Sequence, residues 1–135
     1  MQPQQSTLSR AYLEIAERHL AAAHVLLAEG LQEIAVFHSY HAFESVACSA
    51  LAFRMLPIPW NHPAKIDRFL ARYRAWSFVH DAGALADVLT PMRNRTLYPL
   101  PPGSSPREAF TAAQAATLLS RVEGITGTII ATLRL

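Results

Sequence analysis

The stretch QEIAVFHSYHAFESVACSALAFRM, Gln32 to Met55, decides the fold. Ile34, Phe37, His41, Ala42 and Cys48, with Leu51 and Leu56 near the end, recur at helical intervals, and no period-two alternation competes with them. Pro57 and Pro59 are expected to end this helix, since proline removes a donor and clashes with the preceding turn. Upstream, Ser6 to Glu29 repeats the pattern. Tyr12, Ile15, His19, Ala22 and Leu26 form one stripe, and Leu13, Ala16, Leu20, Ala23 and Leu27 widen it. Gly30 supplies the C-terminal stop. So short a connection forces the two helices into an antiparallel hairpin.

Working outward, Pro57 to Pro63 reads as a loop, and Pro63 suits the first turn of a third helix through Lys65, Ile66, Phe69, Leu70 and Tyr73. A fourth helical region covers Ala82 to Tyr98. Pro91 interrupts it, giving either a kink or a fresh helix from Pro91 to Tyr98 capped by Thr90. Pro99 to Pro106 is a proline-rich loop. Thr111 and Gln114 then form a capping box before a last helix with the seam Leu118, Val122, Ile125, Ile129 and Leu133. Gly124 and Gly127 within it are expected to mark close backbone approach to another helix. The expected fold is all-α: an up-and-down four-helix bundle with an additional short helix, one domain over residues 1–135.

The 135 residues, 51% hydrophobic and 16% charged, suffice for a core without metal or disulfide staples. Cys48 is the only cysteine, which excludes an intramolecular disulfide and suits a reducing cytoplasm. The opening residues carry no basic leader, and the apolar run from Val46 to Phe53 is interrupted by Ser49 and stopped by Arg54. Neither a signal peptide nor a membrane span is expected, and the location is expected to be cytoplasmic. Twelve basic residues against ten acidic ones leave a net charge of only +2, nearly balanced.

Three groups of residues carry candidate chemistry. In Arg93-Asn94-Arg95-Thr96-Leu97-Tyr98-Pro99, Arg93, Asn94 and Arg95 crowd a helix end. Arg93 and Asn94 suit a phosphate and Tyr98 suits a hydrogen bond or a stacked base; alternatively, Arg93 and Arg95 cap their own helix carbonyls and Tyr98 packs beneath the loop. On the second helix His38, His41 and Glu44 follow at steps of three. That is not the i, i+4 spacing of a zinc-protease helix, so the reading is a hydrogen-bonded network in which Glu44 needs a partner such as an arginine, with no metal and no cofactor. Lys65, Arg68 and Arg72 share a face with Phe69, Tyr73 and Trp76 interleaved, which fits nucleic-acid binding or an ordinary amphipathic helix. Cys48, among apolar neighbours, is not expected to be reactive.

As a whole the pattern resembles the HEPN domain family, nucleotide-binding helical domains of higher eukaryotes and prokaryotes. The run Ala35, Phe37, His38, His41, Ala42, Glu44, Ala47, Ala50 and Leu51 is similar to the family's second helix, and Arg93-Asn94-Arg95-Thr96-Leu97 to its late Arg-polar segment. Ribonuclease members carry a His four to six residues after that Arg and pair two such motifs across a dimer. Here Tyr98 stands where the nearest His would be, and no His follows His80.

The resemblance implies a nucleotide- or RNA-associated protein of a prokaryotic toxin–antitoxin or defence-type system. It implies a homodimer with Arg93, Asn94 and Tyr98 at the interface cleft, and phosphate contacts from Arg93, Arg95, Lys65, Arg68 and Arg72. Two alternatives stand beside it. One is a metal-independent RNase toxin using Arg93, Tyr98 and Asn94 or Glu44. The other is a non-catalytic partner or substrate of a minimal nucleotidyltransferase, with Tyr98 near the modified position. Dimerisation is also expected from surplus apolar surface, since Leu13, Leu20 and Leu27 widen the first helix and Leu119, Thr126, Ile130 and Leu133 the last.

Overall fold

Ala42 to Ala52 is a continuous run of buried residues, and this explains the arrangement of the remaining helices. The computed structural model describes residues 3–101 and 103–135, with side chains from Thr7 onward. Met1, Gln2 and Pro102, the last within the expected proline loop, lie outside the described residues. The elements are α1 (Pro3–Ala28), α2 (Gln32–Phe53), α3 (His62–Arg72), α4 (Val79–Arg95), a single 3-10 turn (Pro106–Ala109) and α5 (Ala112–Leu133). The expected all-α bundle with a short extra helix is what is found. No helix among the described residues is long and apolar enough to cross a membrane.

α2 is the axis of the bundle. Val36, Tyr40, Phe43, Val46, Ala47, Ala50 and Leu51 are essentially inaccessible, and α1, α3, α4 and α5 all pack against this helix. A helix apolar on all sides has no solvent face to offer, and its many Ala and Ser residues let neighbours approach closely. α1 and α2 form the expected antiparallel hairpin. Gly30 at φ +78 permits the turn, with the Leu31 N–H donating to Leu26 O at 2.9 Å and the Gly30 N–H to Leu27 O at 3.1 Å.

Both expected stripes of α1 turn toward the rest of the chain, the second more fully: Tyr12, His19, Ala22 and Leu26 of the first are half-buried. Ser9, Ala16 and Ala23 are buried and Leu13, Leu20 and Leu27 half-buried beside them, whereas Ile15 is exposed. The stripes differ by one residue, about 100° around the helix, so spacing cannot choose between them. Close packing can: small Ser9, Ala16 and Ala23 recur at seven-residue intervals where α1 lies on α2. Ser9 Oγ donates to Ser49 O at 2.9 Å and Ser49 Oγ donates back to Ser9 O at 2.7 Å, fastening the hairpin at its far end.

Three further expectations are corrected. α4 begins at Val79 and runs continuously through Pro91, with no fresh helix and no helical turn beyond Arg95. Pro91 and Asp87 four residues before it are both exposed, so water can take the carbonyl that proline cannot satisfy. Gly124 and Gly127 meet no neighbouring atom within 4 Å of where a Cβ would stand and face solvent; no close backbone approach explains them. α2 ends before its prolines, at Phe53, because Met55 adopts the left-handed conformation at φ 62 and Leu56 N–H closes onto Leu51 O. The Thr111–Gln114 capping box forms as expected, with bonds of 2.9 and 3.1 Å, and all five seam residues of α5 are buried.

Candidate functional site

At the C-terminal end of α4 the side chains of Arg93 and Arg95 diverge. The Arg93 guanidinium lies over the Tyr40 ring, 5.9 Å from its centroid, while that of Arg95 lies over Phe110 at 5.8 Å. Neither side chain bonds the carbonyls of its own helix end: Thr96 Oγ1 donates to Arg93 O at 2.6 Å, and the N–H groups of Thr96, Leu97 and Tyr98 take those of Met92, Arg93 and Asn94. The capping alternative for the two arginines is therefore overturned. Arg93 Nη1 reaches Asn94 Oδ1 at 3.5 Å, a long bond, and the Nε atoms of both Arg93 and Arg95 are buried without a partner. Each guanidinium thus keeps donors unused, which is costly unless something accepts them. Tyr98 lies beyond the helix, 61% exposed, and does not pack beneath the loop.

Arg93 meets the middle of α2, where the sequence placed His38, His41 and Glu44. Tyr40 is fully buried, and burial, then the charge and hydrogen-bonding capacity of the nearby Glu44 carboxylate, push its hydroxyl's pKa up. Its ring lies edge-on to His41, centroid to centroid 5.2 Å. His41 is lowered to about 4, chiefly by burial, with Glu44 opposing and His19, Arg93 and His62 adding to the fall. It is neutral at physiological pH, and its Nε2 is buried without a partner.

Glu44 does need a cationic partner, but the partner is not an arginine. Lys65 Nζ donates to Glu44 Oε1 at 3.3 Å, and His62 Nδ1 lies 3.0 and 2.9 Å from the two carboxylate oxygens. Both come from α3, whose first turn is set by Asn61: its side chain accepts from Ala64 N–H at 3.2 Å, with Pro63 following His62. His62 is the residue that sequence reasoning missed. Its only signal was its place beside the Asn61 cap, at a helix start that faces α2.

Lys65 is consequently drawn inward, away from the outer basic face expected of it. Arg68 and Arg72 do remain on that face, where Arg54 and Arg74 join them around a groove that also includes Asp67. Arg54 Nη1 donates to Arg72 O at 3.2 Å and its guanidinium lies over Tyr73, 5.2 Å from the ring centroid, so the end of α2 and the end of α3 share this patch. Of the interleaved aromatics, Phe69 and Tyr73 are core residues and Trp76 is 37% exposed. The fully exposed indole belongs to Trp60, in the loop before α3.

His19 from α1 completes the cluster. Its Nδ1 lies 2.8 Å from that of His38, and its ring lies 5.5 Å from that of His41, so four imidazoles, those of His19, His38, His41 and His62, run across α1, α2 and the start of α3. The arrangement is chemically a row of four imidazoles and one buried carboxylate beside an arginine. A family model described as the HEPN domain matches residues 9–129, nearly the whole chain. No curated protein and no solved structure matches it.

Proposed function

Since the chain belongs to the HEPN domain family, whose members are nucleotide- or RNA-associated, we propose that it binds the phosphates of RNA through the end of α4, with Arg93 as the anchor. The observation that carries this reading is the Arg93 guanidinium itself, seated over the Tyr40 ring 5.9 Å from its centroid, with no acidic side chain paired to it among the described residues. The Tyr40 ring holds the guanidinium in place before any ligand arrives, so few rotamers are lost on binding. A phosphate oxygen would accept from the outer Nη donors of this guanidinium, whose hydrogen bond to Asn94 Oδ1 is long at 3.5 Å. Asn94, exposed at the same helix end, adds an amide donor, and Arg95 a second positive charge one residue on. Arg54, Arg68, Arg72 and Arg74 form a separate basic groove that can meet further phosphates.

Fluorescence anisotropy of a labelled single-stranded RNA at low salt tests this. Arg93→Ala should weaken binding by roughly tenfold, the value of one charge-assisted contact, and Arg121→Ala on the exposed face of α5 should not change it. Equal affinity of wild type and Arg93→Ala would remove Arg93 from the account.

Tyr98 favours a second reading, in which the chain is the substrate of a partner nucleotidyltransferase in a two-component toxin–antitoxin system. Its hydroxyl is on the surface, open to an approaching enzyme, whereas Tyr40 and Tyr73 are buried. Mass spectrometry of the chain co-expressed with such a partner should find a nucleotidyl adduct on Tyr98; an unmodified Tyr98 peptide would sink this version.

A further inference from the structure

We propose that His41, Glu44 and His62 form a binding site for one divalent transition-metal cation of the zinc class. Each of the three offers one ligand atom, and these atoms all lie within 4.8 Å of one another. Two imidazoles and a carboxylate are a donor set that such cations take, and three protein ligands leave a position for water or a ligand oxygen. Ligands around a tetrahedral ion at about 2.0–2.2 Å stand roughly 3.5 Å apart, so closure needs a movement on the order of 1 Å. His62 can make it: its side chain is 41% exposed and sits on the first residue of α3.

Two observations show that this is more than a strut between helices. The Nε2 of His41 is buried with no hydrogen-bond partner, although a neutral imidazole nitrogen is a good ligand. Glu44 is 5% exposed, and the positive charge beside it is delivered by the long, movable side chain of Lys65 at 3.3 Å. On cation binding the ion replaces the Lys65 ammonium at the carboxylate. His62 then coordinates as the neutral ring through Nδ1, its remaining proton carried on Nε2 at the exposed side; a ring that was doubly protonated releases its second proton to solvent. Lys65 on this account competes with the metal for Glu44. The exposed side of His62 is the entry path.

The experiment titrates metal-stripped full-length protein with Zn²⁺ against a chromophoric chelator, and with Co²⁺ by visible absorption. One Zn²⁺ per chain and the intense visible bands of low-coordinate Co²⁺ are expected. His62→Ala should weaken Zn²⁺ binding by at least 100-fold and His41→Ala likewise, while His38→Ala leaves it unchanged. Lys65→Ala should tighten it severalfold, an effect that a purely structural Glu44–Lys65 pair would not give. Circular dichroism checks each variant's fold, and because His62 is part-exposed its variant keeps the test decisive if His41→Ala fails to fold. Wild-type affinity weaker than about 100 μM, affinity indifferent to His62→Ala, or weaker binding in Lys65→Ala would overturn the site. None of these readouts depends on RNA binding, so the metal site and the phosphate anchor fail separately.

Discussion

His19 and His38 face each other across the α1–α2 hairpin with their Nδ1 atoms 2.8 Å apart. One ring must carry its proton on Nδ1 and donate while the other accepts, so the pair is formed by neutral imidazoles and is lost when both are protonated. Both pKa values are pushed below the usual value of 6.5 by burial, with the neighbouring His38 as a second cause for His19; His41 beside them falls to about 4. The unfolded chain therefore takes up protons at a higher pH than the folded one. Stability from these groups is complete above about pH 6.5 and is lost as the pH falls toward 4. Urea midpoints measured in chelator should be lower at pH 5.0 than at pH 7.5, and His38→Leu should flatten the difference. A midpoint unchanged or higher at pH 5.0 would contradict it.

Ser9 and Ser49 exchange side-chain to backbone hydrogen bonds in a position with no room for a larger residue. Ser49→Ala removes one buried bond and should cost about 1 kcal/mol. Ser49→Leu adds volume where α1 and α2 are in closest register, and should cost about 1–3 kcal/mol. Chemical denaturation of the two variants checks the order; a Leu variant as stable as wild type would show that the hairpin is not close-packed there.

Cys48 is buried on α2, and burial pushes its thiol up to about 12, with Lys65 opposing. A thiol so placed supplies almost no thiolate at pH 8. Its reaction with a disulfide reagent should proceed at the rate of global unfolding and speed up with urea. Immediate stoichiometric labelling of the native protein would show that α2 is not the buried axis described above.

The outer face of α1 keeps Leu8, Ile15 and Val25 at 48%, 43% and 62% exposure, and a groove there includes His19 and His38. α5 offers no comparable surplus, because Leu119, Thr126 and Leu133 are buried within the chain and Ile130 packs, part-buried, against the core. The proposed homodimer thus rests on α1 alone. Light scattering at micromolar concentration should give twice the chain's 14.9 kDa, and Ile15→Asp with Val25→Asp should halve it. A wild-type mass of one chain would refute the dimer.

The hairpin, the Thr111 capping box and the seam of α5 were legible because each is written in neighbouring residues: Gly30 after a periodic run, a Thr three before a Gln, apolar residues at steps of three and four. Which of the two adjacent stripes of α1 lies deepest was not, since they share a period and only the small sizes of Ser9, Ala16 and Ala23 mark the buried line. In the site, His41 and Glu44 were legible as one face of one helix, but their partner His62 lies 18 residues from Glu44 in the chain and meets it only through packing of α3. Arg93 and Arg95 were read as one cluster. Two residues apart on a helix they point in different directions, and the structure sends one to Tyr40 and the other to Phe110.

The central claim is that Arg93 is a phosphate anchor, and the salt dependence of RNA affinity tests it most directly. Each phosphate neutralised by a cationic side chain adds about 0.7 to the slope of log affinity against log salt for single-stranded RNA. Measured for the wild type and Arg93→Ala on the same oligonucleotide, the variant's slope should be shallower by roughly that amount, with weaker affinity at every salt concentration. Identical slopes and affinities in the two proteins would contradict the claim.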